Sequence, residues 1–299
     1  MMIGFIGVGV MGEPMCRNLA TKSGYPVVAY DQTAVALERL REHGVRSAND
    51  LQQVAASADV IFLALPSGAE VDSVCGNPGG LLDHGRKGQI VVDLGTSPAD
   101  LAQRLAQAFR AKGMKFADAP IARTRQAAEQ GTLSVMVGGE KDTFDTIRPL
   151  LFHIGTDVTY CGAAGAGQVF KVLNNMVLIE TVVALSEAVA VARRAGLDAT
   201  LLFETLAKGS ADSFALRNHG MKAILPKSFP EKAFSTNYAR KDLGYALALA
   251  ANVGLHLRGA EVADGLLEQA AEAGFGELYW PIISRIIDDS QHRATSKQP

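Results

Sequence analysis

Cysteine is scarce in this chain. Cys16, Cys75 and Cys161 are odd in number and far apart, with no Cys-x-x-Cys pair and no zinc spacing. That excludes a disulfide framework and fits reduced thiols in a cytoplasmic protein. The six histidines (His43, His84, His153, His219, His256, His292) are scattered without metal-ligand spacing, so no metal is expected. Neither sign of charge dominates: 29 Lys and Arg stand against 31 Asp and Glu, a formal net charge of −2. Without a basic stripe, nucleic acid is not an expected partner. No charge-free apolar run reaches about 18 residues with membrane-type flanks, so no membrane span is expected. The N-terminus shows no basic n-region and no cleavage site, so no signal peptide is expected. There is no internal repeat and no low-complexity block.

What is present begins at once. Ile3-Gly4-Phe5-Ile6 reads as a buried strand and runs into Gly7-x-Gly9-x-x-Gly12, followed by a helix from Pro14. Strand, glycine loop and helix in that order are the fingerprint of a dinucleotide-binding βαβ unit. Gly7 permits the tight turn, Gly9 lets the backbone approach a pyrophosphate, and Gly12 lets helix and strand pack closely. Val10 and Met11 between them would line the phosphates at the helix N-terminus. A second strand, Val27–Tyr30, ends at Asp31, about 20 residues past the glycines, where a carboxylate grips an adenosine ribose. No arginine stands at Gln32 or Thr33 to take a 2′-phosphate. NAD is therefore the expected cofactor, with NADP admissible if Asp31 turns away.

Further strands are expected at Val60–Ala64, Ile90–Asp93, Lys115–Asp118, Ser134–Val137 and Thr156–Tyr160. Several are apolar throughout, as strands covered on both faces of a parallel sheet are. Helices are expected at Ala34–His43, Asn49–Ala56 and Pro98–Ala111, with Gly44 and Gly113 as C-cap glycines. From about Gly165 strand signals vanish. Gln168–Ala195 reads as one apolar helix, about 42 Å long at 1.5 Å per residue. Further helices are expected at Ala199–Lys208, Asp242–Asn252, Gly259–Ala273 and Tyr279–Asp289. The expected fold is α/β, a Rossmann-type doubly wound sheet over residues 1–163 followed by an all-α C-terminal domain over 164–290, with a polar tail at 291–299. The long helix is too apolar to be covered by one small domain, which implies a homodimer or homotetramer formed through the helical domain.

Ligands in open α/β sheets lie beyond the carboxyl ends of strands. Leu65-Pro66 after the Val60 strand and Thr96 after the Ile90 strand fit the path of the cofactor, with Thr96 placed for ribose or substrate. Ser97 is the better candidate to cap the following helix, with Pro98 at its first position. Lys171, Asn174 and Asn175, at i, i+3 and i+4, share one face of an otherwise apolar helix. Polar groups in such a helix need partners or a wet cavity. Beside a nicotinamide, an ammonium there serves as the proton donor that hydride transfer to a carbonyl requires.

These residues together resemble the β-hydroxyacid dehydrogenases, the family of 3-hydroxyisobutyrate dehydrogenase and tartronate semialdehyde reductase. The resemblance rests on Gly4 to Met15, on Asp118-Ala119-Pro120 with Gly131-Thr132-Leu133, on Gly165-x-Gly167-x-x-x-Lys171-x-x-Asn174-Asn175, and on Lys241-Asp242-Leu243. It implies that Lys171 is the general acid/base and that Asn174 and Asn175 hold the substrate. It also puts Thr96 at the nicotinamide end and Lys241 near cofactor or substrate. Asp242 serves equally as the N-cap of its helix. Most members follow Asp-Ala-Pro with a Ser-Gly-Gly loop; here the loop reads Ala122-Arg123-Thr124. The Arg-Thr pair is similar to the sulfolactaldehyde reductases of the family, although the serine they carry four residues after the first asparagine is Leu178 here. A guanidinium in place of a glycine suggests an anion clamp for a sulfonate, a phosphonate or a second carboxylate, with Thr124 as a second donor. The expected activity is hydride transfer between NAD(P) and a small anionic carbonyl or hydroxy compound. An ordinary 3-hydroxyisobutyrate or tartronate semialdehyde type of dehydrogenase is the alternative. A non-catalytic scaffold on the same fold would be expected to lose the lysine–asparagine face, which is present.

Overall fold

Apolar runs punctuated by glycine and proline leave the first half of the chain suited to a sheet buried on both faces. The computed structural model describes residues 1–290. Among them, nine strands form one sheet: β1 (Ile3–Ile6), β2 (Val27–Tyr30), β3 (Arg46–Ser47), β4 (Val60–Leu63), β5 (Ile90–Asp93), β6 (Lys115–Asp118), β7 (Ile121–Ala122), β8 (Leu133–Gly138) and β9 (Gly155–Gly162). Their order is β3-β2-β1-β4-β5-β6-β8-β7, with β9 paired to β8. From β3 to β6 all neighbours are parallel. The fully parallel sheet expected from the sequence needs one correction: β8 runs antiparallel to β6 and β7. The strand order reverses beside β1, so the glycine loop leaves the sheet at its topological switch point.

Strand parity sorts side chains between two cores. Ile3, Phe5, Val60, Phe62, Ile90 and Val92 join one, with Met15 and Leu19 of α1 (Gly12–Lys22) and Leu37 and Leu40 of α2 (Ala34–Arg41). Ile6, Ile61, Leu63 and Val91 join the other, with Val54 of α3 (Leu51–Ser57), Val71 of α4 (Gly68–Gly76) and Phe109 of α6 (Ala99–Ala111). Alternate residues pointing to opposite faces, both apolar, is what a sheet with helices on both sides requires. Short α5 (Leu81–His84), α7 (Arg125–Gln130) and α8 (Lys141–Leu151) complete this half. Gly44 and Gly113 follow α2 and α6 at φ of 79° and 73°, as C-cap glycines do.

The chain divides into two units, Met1–Lys171 and Val172–Pro299. The division falls within the long helix, later than the expected boundary at 163/164. That helix, α9 (Ala166–Arg194), has 29 residues. It has the length and hydropathy of a membrane span, although Glu180 and Glu187 interrupt it, and half of its most apolar stretch is buried. In the second unit Ile179, Val182, Val183, Leu185 and Val189 of α9 pack with Phe203, Leu243, Leu267 and Trp280 into a third core. Around them stand α10 (Ala199–Leu206), α11 (Thr236–Asn252), α12 (Arg258–Ala270) and α13 (Ile283–Ser290). A π-helical segment, Leu216–Ile224, was not foreseen. The polar tail expected at 291–299 lies outside the described residues.

Candidate active site

Each glycine of the first loop has its own reason. Gly7 sits at φ 88°, and a Cβ there would lie 2.5 Å from the Ala64 carbonyl oxygen. A Cβ on Gly12 would lie 2.0 Å from the carbonyl oxygen of Gly7, so helix and loop touch there. A Cβ on Gly9 would meet nothing within 4 Å. Gly9 is thus open where a pyrophosphate needs room, and Met11 at the head of α1 offers no side-chain cap to the helix amides. The loop fits a dinucleotide on these observations. Val10 is exposed beside it.

Asp31 is half-buried at the end of β2. One carboxylate oxygen accepts the Val8 amide at 2.7 Å, and the other accepts the Thr33 amide and hydroxyl at 2.8 and 2.9 Å. The acid therefore ties the glycine loop to the β2–α2 turn. Leu65 is half-buried and Pro66 exposed in the segment after β4, and Ser67 caps α4 by accepting the Ala69 amide.

Two buried acids to which the sequence reading gives no role organise the rest. Asp93 and Asp118 end β5 and β6 and stand opposite each other in register. Asp93 accepts the Gly95 amide at 2.8 Å with one oxygen and the Ser97 hydroxyl at 2.8 Å with the other. Gln168, fully buried in the first turn of α9, donates to the Gly95 carbonyl at 2.9 Å and accepts the Ser97 amide at 3.0 Å. Asp118 accepts the Gly165 and Gln168 amides at 2.7 and 2.9 Å. Burial raises its carboxyl pKa, and these amides oppose the rise. A Cβ on Gly167 would lie 2.3 Å from the Met136 carbonyl oxygen, so the first turn of α9 needs that glycine to reach β8. The signal for both acids was available: a carboxylate ending an apolar strand must find donors.

Thr96 is buried in the loop that Gln168 holds. Lys171, one turn on from Gln168, is 8% exposed. The Ser97 expectation is corrected: Pro98 occupies the N-cap position with extended ψ, and Ser97 spends its hydroxyl on Asp93. In the second unit Asn174 is exposed and donates to the Asn175 side chain at 3.1 Å. Asn175 is buried and donates to Asp242 at 2.7 Å. Lys241 pairs with Asp242 at 3.1 Å and lies 3.9 Å from the Tyr238 ring centroid. Asp242 is not an N-cap: α11 begins six residues earlier, capped by Ser235 on the Tyr238 amide.

Arg123 adopts φ 87°, a left-handed geometry that favours glycine. Its guanidinium donates to the Thr132 carbonyl at 2.5 Å, the Thr156 hydroxyl at 3.0 Å and the Asp157 carboxylate at 2.7 Å. Thr124 caps α7 by accepting the Ala127 amide at 3.4 Å. Among the described residues no group of three or more His, Cys, Asp or Glu is placed to hold a metal.

Comparison with known proteins covers both halves of the chain. Residues 2–162 match the family model described as the NAD binding domain of 6-phosphogluconate dehydrogenase. Residues 165–279 match that described as NAD-binding of NADP-dependent 3-hydroxyisobutyrate dehydrogenase. The chain is 33% identical to 2-(hydroxymethyl)glutarate dehydrogenase of Eubacterium barkeri over 92% of its length and 90% of that protein. It is 35% identical to 3-hydroxyisobutyrate dehydrogenase of Pseudomonas aeruginosa over 82% and 84% of the two chains. The solved 3-hydroxyisobutyrate dehydrogenase of Mycobacterium tuberculosis with L-serine superposes with a TM-score of 0.86 at 29% identity, covering 96% and 98% of the chains. Psf3, solved in complex with NADP+ and 2-OPP, gives 0.85 at 25% identity, covering 95% and 99%. On its glycine loop, its strand order and these matches, the chain belongs to the β-hydroxyacid dehydrogenases, NAD(P)-dependent enzymes acting on a CH–OH group.

Proposed function

We propose that this protein interconverts a small hydroxy acid and its carbonyl form, with Lys171 as general acid/base. The observation that carries the reading is the seating of Lys171. It is buried one turn beyond Gln168, and that turn is fastened to the carboxyl ends of β5 and β6. Bound NAD(P) would supply or accept the hydride. Lys171 would deliver or remove the proton at the substrate oxygen. Thr96 would face the nicotinamide end, and Asn174 and Asn175, on the same helix as Lys171, would hold the substrate. Gly7, Gly9, Gly12 and the amides of Val10 and Met11 would cradle the phosphates, with Asp31, Leu65, Pro66 and Lys241 completing the cofactor's surroundings. Lys171→Ala is expected to cut kcat by about 10²–10⁴ while the cofactor Kd, measured calorimetrically, stays within about twofold. Near-normal turnover would overturn the assignment.

For the substrate we favour an ordinary carboxylate hydroxy acid of the 3-hydroxyisobutyrate type. The Arg123 guanidinium is engaged by Asp157, Thr132 and Thr156. A sulfonate or phosphonate clamped by Arg123 and Thr124 would have to displace Asp157. A panel of carboxylate, sulfonate and phosphonate carbonyl compounds decides between them: a clear preference for either of the last two restores the clamp.

Asp31 supports a preference for NAD over NADP. For assembly, the exposed Leu173, Val177 and Val191 on α9 support a homodimer or homotetramer through the helical unit, checked by light scattering. A cytoplasmic location accords with the sparse cysteines.

A further inference from the structure

A cleft of about 360 Å³ opens beside the glycine loop, floored by Val8, Gly9 and Val10. Its walls are charged: Glu13 and Arg17 come from α1, Arg39 from α2, and Arg125 and Glu129 from α7. Thr33, two residues beyond Asp31, the proposed ribose partner, lines the same cleft. Arg39 lines the same cleft as Thr33, into which a phosphate on the ribose 2′ position, beyond Asp31, would project. A guanidinium suits that dianion, because two parallel donors match its oxygens.

One edge of Arg39 is already taken. Its Nε donates to one oxygen of Glu13 at 2.7 Å and its Nη2 to the other at 2.6 Å. The Arg39 hydrogen bonds hold the Glu13 carboxyl below the usual carboxylate range, so the pair stays ionised at neutral pH. We propose that Glu13 is a specificity-determining residue for the cofactor. By holding the Nε–Nη2 edge of Arg39 and offsetting its charge, Glu13 weakens the cation that a 2′-phosphate needs and biases the site toward NAD. The inference rests on the proposed NAD preference and assigns part of that preference to a residue outside the β2–α2 turn.

The test is calorimetric titration of NAD+ and NADP+ against the wild type, Glu13→Gln, and the double variant Glu13→Gln/Arg39→Gln. Thermal unfolding of each variant checks that it is folded. Glu13→Gln keeps the side-chain shape and releases the guanidinium. The Kd ratio of NADP+ to NAD+ is expected to fall about tenfold in Glu13→Gln, with the NADP+ affinity becoming more sensitive to salt. The double variant is expected to lose that gain. An unchanged ratio in Glu13→Gln, or a gain that survives removal of Arg39, overturns the proposal. A wild-type protein that prefers NADP+ would instead overturn the reading of Asp31. The two variants would still report on Glu13 independently.

Discussion

Two loops beyond the carboxyl ends of strands carry a residue in left-handed backbone, and they sustain it by opposite means. The loop after β1 uses Gly7 at φ 88°, and the loop after β7 uses Arg123 at φ 87°. Glycine adopts that geometry without a steric penalty, whereas a residue with a Cβ is strained there by about 1–2 kcal/mol. The first loop presents open space at Gly9. The second spends its side chain on three partners across the β8–β9 edge. One turn is cheap and vacant; the other is strained and tethered. A left-handed residue therefore does not by itself mark a ligand site: what the side chain touches distinguishes a cradle from a clasp.

The sharpest way to break the contrast is within the first loop. Gly12→Ala places a carbon against the Gly7 carbonyl, and is expected to cost about 3 kcal/mol or more in denaturant unfolding. Gly9→Ala meets nothing, so its stability should stay within about 0.5 kcal/mol of wild type. Its cofactor Kd, by contrast, should rise at least about tenfold. A Gly9→Ala protein with normal cofactor affinity would show that the open space is not the phosphate cradle.

In the second loop, Arg123→Ala keeps the strain and removes the tether, whereas Arg123→Gly removes both. Arg123→Ala is expected to be the less stable of the two by about 1 kcal/mol. Equal stabilities would mean that the backbone relaxes once the guanidinium is gone. The smallest effect is a pH dependence. The Thr156 hydroxyl and Arg123 hold the Asp157 carboxyl below the usual carboxylate range. A carboxyl lowered on folding stabilises the protein above its unfolded pKa of about 3.9, and that contribution disappears as pH falls through the lower folded value. Thermal unfolding of wild type and Asp157→Asn should therefore differ at neutral pH and converge in acid. A gap that persists in acid would show that the ion pair is not the tether.

The same contrast measures what could be read from the chain. Ile3–Ile6 and Val27–Tyr30 stand where their apolar runs put them, and Ile90–Asp93 and Lys115–Asp118 are bounded by the charged residues at their ends. The two-residue strands β3 and β7 carry no such signal, and α4, α5, α7, α8 and the π-helical segment were also missed. The start of α11 was placed too late because Asp242 looked like a cap, whereas Ser235 supplies one. For the candidate site, the glycines, Asp31 and Lys171 stand out as local pattern. The partners of Arg123 do not: Asp157 lies 34 residues away, and no local rule pairs them. The partners of Gln168, Asp93 and Asp118 escape for the same reason.

That last network has a consequence for how the protein acquires activity during folding. The bonds that seat the first turn of α9 join residues 47 to 75 positions apart in sequence. Contacts of such separation close long loops and so form more slowly than local ones. The glycine loop, with Asp31 reaching back 23 positions to Val8, can close much earlier. A growing chain would therefore own its glycine loop well before Lys171 has an address, and the role proposed for that lysine would await the last contacts the first unit makes.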